Sequence, residues 1–202
     1  MKVSPIILEG QQVRLDPLSP AHAEALVAAA ADGELWKTTV TIIPDALSIN
    51  DYIAAALKGQ SAGKELPFVI VSKAWQQVVG TTRFYDISSP DRKTAIGYTW
   101  LSWKAQRTAI NTEAKLLLLT HAFEVWRCVR VELITDVLNE QSRAAILRIG
   151  AKQEGILRKH LFLPNGRVRD SVVFSIVDDE WAAVKTALAA RLSNQPVAAY
   201  EN

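Results

Sequence analysis

The chain has 202 residues, about half of them apolar and 22% charged, so a globular fold with a real core is expected and disorder is not. The net charge of +2 is too small to argue for a nucleic-acid partner. A single cysteine, Cys128, cannot form an internal disulfide, which fits a reducing compartment.

The N-terminus has too short an apolar run and too early a proline for a signal peptide, and no window approaches a membrane span. A soluble cytoplasmic protein is expected, with no membrane partner. Cys128 lies in EVWRCVRVEL without a second thiol, so it reads as a buried core residue.

The first strand is expected around Val13 and Leu15, stopped by Pro17. Ser19 caps a helix opened by Pro20, and Asp32-Gly33 closes it. A loop with Trp36, Thr38, Thr39 and Pro44 comes after it. Ser48 then caps a second helix, which Gly59 ends. Three β-branched runs, at 67–73, 77–89 and 91–102, read as an antiparallel meander.

Next is a helix to about Trp126, with Ala114, Leu117, Leu118, His121, Ala122 and Val125 on one face. A strand at 129–138 leads to a helix that Asn139 caps and that runs through Arg148, with Gly150 placed to end it. Two strands joined by Pro164-Asn165-Gly166 form a hairpin, and a last helix is capped by Asp178 or Asp179. The residues from 193 to 202 are expected to be a flexible tail on one domain of residues 1–192. The element order implies an α+β or mixed α/β class with six to seven strands. Its sheet is mostly antiparallel, with one parallel step at the α crossover.

Several chemistries are excluded by their missing motifs. GQSAGKE at 59–65 is too short for a phosphate-binding P-loop and ends in Glu. No G-x-G-x-x-G or G-x-S-x-G occurs. His22, His121 and His160 are scattered, with no metal spacing. His121, on an apolar helix face, reads as a packed residue. Between Gln141 and Asp170, seven basic residues stand against two acidic ones, which suits either a small anion or a solvated face.

What remains is QRTAINTEAK at 106–115, where a strand delivers the chain into a turn that opens a helix. The first N–H groups of a helix have no intrahelical partner and sit at the positive end of its dipole, so a pyrophosphate can rest on them. The alternative is plain capping by Thr108.

The segment WLSWKAQRTAINTEAKLLLLTHAFE resembles the acetyl-coenzyme A motif of the GNAT N-acetyltransferases. It is most similar to the branch that includes enzymes acetylating ribosomal-protein N-termini. The family pattern [QR]-x-x-G-x-[GA] falls on Gln106, Arg107, Thr108, Ala109, Ile110 and Asn111, with Ala109 standing where the family usually has glycine and Asn111 where it usually has glycine or alanine. NEQSRAAILRIGAKQEGILRKHLFLPNGRVRDSVVFSI is similar to the branch's downstream pattern. The resemblance covers roughly residues 10–180 and implies the GNAT-like fold, a central sheet with helices on both faces.

The resemblance further implies that acetyl-coenzyme A donates an acetyl group directly to a primary amine, either a peptide N-terminus or a small amine. The amides from Arg107 to Thr112 would bind the pyrophosphate. The backbone at Trp100 and Leu101 would pair with the pantetheine arm. Asn139 and Ser142 would face that arm, and Arg143, with Lys152 second, would meet the 3′-phosphate. Ser142 would hydrogen-bond or protonate the leaving sulfur, while Glu154, or Asp86 through water, would accept the amine proton. Trp36, Thr39, Arg83 and Tyr85 would line the acceptor cleft. A non-catalytic acyl-coenzyme A sensor of the same fold is the alternative. A monomer or homodimer is expected, with no metal and no nucleic acid, because aromatics are not interleaved with the basic stretch.

Overall fold

A computed structural model describes Met1 and residues 3–194. Its strands are β1 (Leu8–Glu9), β2 (Val13–Pro17), β3 (Leu66–Ser72), β4 (Gln77–Ser88), β5 (Lys93–Leu101), β6 (Arg130–Asp136), β7 (Lys152–Phe162) and β8 (Val168–Val177). Its helices are α1 (Ala23–Ala31), α2 (Ile49–Ser61), α3 (Ile110–Thr120), α4 (Glu140–Arg148) and α5 (Asp178–Ser193). The short β1 adds an eighth strand to the expected set. Residues 195–202 of the expected tail lie outside the described residues, and α5 takes in Ser193.

The strands form one sheet in the order β1-β2-β3-β4-β5-β6-β8-β7. Every neighbouring pair is antiparallel except β5 and β6, which are joined by the α3 crossover and run parallel. Alternation along the strands divides the core between two faces. Phe68, Ile70, Phe84, Ile96 and Phe174 pack with Leu118 of α3 and Trp181 of α5. Val69 and Trp100 turn the other way and pack with Leu26 of α1 and Ile53 of α2.

Two strand irregularities shape the centre of the sheet. Thr81 faces Trp100 and Arg83 faces Gly97, so β5 carries one extra residue there, and Tyr98 adopts a left-handed φ of 50°. Such a bulge sharpens the local twist of its strand. The β5–β6 ladder is short, with pairs only at Lys93–Arg130, Thr94–Val131 and Ala95–Glu132. Beyond them β5 stays with β4 as far as Leu101, and β6 stays with β8 as far as Asp136. The two halves of the sheet part at this point.

Several local expectations shift. Gly59 lies inside α2. The helix ends instead near Gly63, whose φ of 68° provides the left-handed turn after the last helical carbonyls. Ser48 does not cap α2 through its side chain, because its hydroxyl donates to Asp45 at 2.6 Å. Asp178 is the first residue of α5 rather than its cap, and the amide of Val177 donates to Glu180. Val125 is 64% exposed because a π turn over His121–Val125 adds a residue and rotates it off the buried face. Phe123 and Trp126 are buried there. His121 packs between Phe84 and Trp126, and burial lowers its pKa. Cys128 is buried, which pushes its thiol up to about 11.

Two buried charges fix α3 to the sheet. The carboxylate of Glu113 accepts the amides of Gln11, Gln12 and Val13 at 2.9, 2.7 and 2.7 Å. The ammonium of Lys115 donates to Thr99 at 2.6 Å and Thr82 at 3.4 Å, and no carboxylate among the described residues pairs with it. Burial pulls its pKa down to about 7.

Removing either charge has a measurable cost or gain. Glu113→Ala leaves three amides without their charged acceptor and should cost about 3 kcal/mol or more, readable as a lower denaturant midpoint. Between pH 7 and about 10.4 the unfolded chain holds a proton on Lys115 that the folded protein has lost, so this residue's contribution to stability rises with pH across that window. Lys115→Met should therefore be most stabilising at or below pH 7, and its advantage in melting temperature should shrink toward pH 10.

Candidate active site

The turn after β5 is built by side chains that tie it to three elements. Gln106 donates from Nε2 to the carbonyl of Leu101 at 3.0 Å, and its Oε1 accepts from Gln141 on α4 at 3.0 Å. Thr108 donates its hydroxyl to the carbonyl of Ala105 at 2.7 Å and accepts the amide of Ile110 at 3.3 Å. The capping role of Thr108 is therefore present, yet it satisfies only one amide.

The amides of Arg107, Thr108, Ala109, Asn111 and Thr112 have no acceptor among the described residues. They gather at the N-terminus of α3, where the helix dipole favours an anion. Ala109 has φ −69° and ψ −15°, ordinary helical values, and is 4% exposed, so its methyl group is tucked inward. The left-handed residue of this turn is Arg107, at φ 60°. Glycine is not required at the position where the family pattern usually has it. Asn111 has a buried side-chain oxygen without a partner among the described residues, beside the free amides.

The parted strands adjoin this turn. Trp100 and Leu101 send their side chains into opposite cores, and the β6-facing edge of β5 has no strand partner among the described residues from Ile96 to Leu101. Across the gap, β6 leads into α4. Asn139 caps α4, its Oδ1 accepting the amide of Ser142 at 3.0 Å. This leaves the Asn139 NH2 group free to donate. Ser142 is half-buried, and its hydroxyl has no partner among the described residues. Arg143 donates from Nη1 to the carbonyl of Val137 at 3.2 Å, and its Nε is buried without an acceptor among the described residues. The Gln106–Gln141 bond closes the gap at its open end, so the turn, β5 and α4 form one continuous rim.

The face that carries α1 and α2 holds the expected acceptor residues. Trp36 is half-buried against the α1–α2 core, and Thr39 offers its carbonyl to Arg167 at 3.0 Å. Arg83 is only 3% exposed. It pairs with Glu65 at 2.7 Å and lies under the ring of Tyr98, 4.0 Å from its centroid. Its burial argues against direct contact with a substrate and for support of Tyr98. Tyr85 meets Tyr98 edge to face at 5.4 Å, and burial raises the pKa of both phenols, so they stay protonated.

Sequence reasoning missed Tyr98, Asp136, Arg167 and Arg169. Asp136, fully buried, binds Arg167 and the amide of Leu138. The pair is 31 residues apart, which no local pattern reveals. Tyr98 had one clue, its place after Gly97 inside a strand.

Two expected roles do not suit the geometry. Glu154 is clamped by both terminal nitrogens of Arg130 at 2.5 Å each and by Ser175 at 2.6 Å. Arg130 first, then Ser175, holds its carboxyl near about 2, which makes it a poor proton acceptor at neutral pH. Lys152 is paired with Glu180 at the start of α5, so its ammonium is committed away from the turn. Asp86 is exposed at a bulge of β4, with φ 49°.

Comparison with known proteins bears on the fold and the family. A family model described as an acetyltransferase (GNAT) domain matches residues 12–152. YdaF of Bacillus subtilis (strain 168), a candidate ribosomal N-acetyltransferase by name, is 36% identical over 106 residues. That match spans 52% of this chain and 57% of YdaF, so it reaches little more than half of that relative. A GCN5-related N-acetyltransferase from Brucella melitensis superposes with a TM-score of 0.84 at 30% identity, over 95% of this chain and 87% of that one. RimJ of Mycobacterium smegmatis, solved in complex with CoA-disulfide, shares the fold with a TM-score of 0.76 at 22% identity, over 94% and 93% of the two chains. With a family match running from β2 to the first residue of β7 and across the whole crossover, this chain belongs to the GNAT acetyltransferases and is an acyl-coenzyme A-dependent enzyme of that family.

Proposed function

We propose that this enzyme moves the acetyl group of acetyl-coenzyme A directly to a primary amine, a peptide or protein N-terminus or a small amine. The observation that carries this reading is the edge of β5, unpaired among the described residues, running into a turn of amides that also lack partners among them, at the head of α3. Two kinds of free backbone donor and acceptor stand in one line, as a long, partly peptidic, diphosphate-bearing molecule requires.

In this reading the amides from Arg107 to Thr112 hold the pyrophosphate, and Arg107, exposed at the rim, adds charge. The edge of β5 at Trp100 and Leu101 hydrogen-bonds the pantetheine arm as an added strand would. The Asn139 NH2 group and the Ser142 hydroxyl face the same arm from α4, and Arg143 meets the 3′-phosphate. Acetyl-coenzyme A, when bound, supplies an acyl group activated as a thioester. The chain contributes orientation and polarisation: a backbone N–H of β5 at the carbonyl oxygen and the Ser142 hydroxyl at the departing sulfur.

Glu154, the base expected from the sequence, is replaced in this reading by loss of the amine's proton to water before attack. The acceptor approaches from the face of Trp36, Thr39, Tyr85 and Tyr98. A purely sensing role has weaker support, because the backbone of Ala109 is that of an ordinary helical residue.

Ser142→Ala should lower kcat by about 10²-fold, the lower end for a positioned proton donor, with the KM for acetyl-coenzyme A little changed. Thiol release with a peptide acceptor measures this, and an unaltered kcat would remove Ser142 from the chemistry. Asn111→Asp sets a carboxylate against the amide turn and should raise the Kd for coenzyme A by about 10-fold or more in calorimetry. For a peptide acceptor, kcat/KM should climb with pH toward the N-terminal amine's own pKa near about 8, and Glu154→Gln should leave that profile in place.

A further inference from the structure

Several charges of the strands and turns are paired within the protein. Arg83 is matched by Glu65, and Arg130 by Glu132 and Glu154. Arg167 is matched by Asp136, whose second oxygen is taken by the amide of Leu138. Asp170, the strand neighbour of Arg169 and so on the opposite side of β8, accepts the amide of Lys159. Asp86 is exposed and makes no ion pair among the described residues.

Arg169 is a strand cation without such a match among the described residues. It stands on β8 opposite Leu161, half-buried, with no carboxylate of the described residues in salt-bridge reach, and its Nε is buried without an acceptor among them. Burial disfavours its charge, and Asp136, already spent on Arg167, is the one carboxylate that offsets this. A half-buried guanidinium with an orphaned N–H is costly unless something pairs with it.

Its position gives that cost a purpose. Ser171 pairs with Asp136, the last residue of β6, so Arg169 lies two residues further on, about 7 Å past the strand end. This is the edge at which α4 brings in Ser142. Tyr85 and Tyr98, which meet edge to face, are close enough to Arg169 for their phenols to act on its charge. A planar fork of N–H donors suits a carboxylate bound through two parallel hydrogen bonds.

We infer that the acceptor is an amine that carries a carboxylate close by, and that Arg169 binds that carboxylate. The inference rests on the direct-transfer reading for the place of the acceptor. The carboxylate can come from either of two sources, an acidic side chain next to a peptide N-terminus or the α-carboxylate of an amino acid.

The test uses the full chain with acetyl-coenzyme A and two matched pairs of acceptors. One pair is peptides that differ only by Glu or Gln at the second position. The other is an amino acid and its amide. The acid member of one pair should be preferred by about 10- to 100-fold in kcat/KM, mostly through KM, which also identifies the source. Arg169→Gln should erase that preference and leave the neutral acceptor's turnover and coenzyme A affinity unchanged. Arg169→Glu should shift preference toward a peptide with Lys at the second position.

Calorimetry with the same four acceptors and coenzyme A reads binding without chemistry. An acid preference there, with no turnover of any acceptor, would uphold Arg169 while removing the transfer reading. Equal behaviour of acid and neutral members in both assays, or a preference that survives Arg169→Gln, overturns the inference.

Discussion

The parting of β5 from β6 after three residue pairs is the constraint on which the site depends. A continuous ladder would satisfy the backbone groups of β5 within the sheet and leave nothing to offer a ligand. The bulge at Tyr98 turns β5 away, while β8 holds β6 straight through seven consecutive pairs. The cost of an open edge is limited because α3 and α4 roof it and the Gln106–Gln141 bond ties its mouth. The same bulge swings Tyr98 over Arg83 and Thr99 toward Lys115, so one extra residue shapes both faces of the sheet.

Charge placement depends on this division. Glu113 anchors α3 through three amides, and the amide-rich start of the helix is held in place beside the open edge. The basic stretch read in the sequence is not one patch. Lys152 is spent on Glu180 and Arg167 on Asp136, while Arg143 gives one N–H to a backbone carbonyl and keeps its Nε without an acceptor among the described residues. Alternation along β7 and β8 separates neighbours in sequence onto opposite faces. Glu154 is likewise a structural anion, since Arg130 and Ser175 surround it.

Much of the frame was legible because it rests on local physics. The β-branched runs of the meander, the Pro164-Asn165-Gly166 turn and the Asn139 cap each depend on neighbours within a few residues, and each is present. The misplacements were also local but involved competition. Ser48 had a nearer partner in Asp45, and the π turn after Thr120 moved Val125 out to solvent by changing the residue count per turn. The turn at 106–112 was legible by position, and its conformation was not. The sequence pattern placed the awkward residue at Ala109, whereas the backbone puts the left-handed conformation at Arg107.

By itself the sequence determined the order of the elements from β2 onward, the parallel crossover and the motif that marks a GNAT chain. Periodicity, caps and turns act over short spans, and they survive in one dimension. Only the tertiary structure decided which charges are spent and which stand free. Asp136 and Arg167, Arg130 and Glu154, Glu113 and the β1–β2 turn are separated by 24 to 102 residues and meet only because the sheet brings them together. That Arg169 stands half-buried and unmatched among the described residues is a property of those meetings, since a charge is free only after every other pairing has been made.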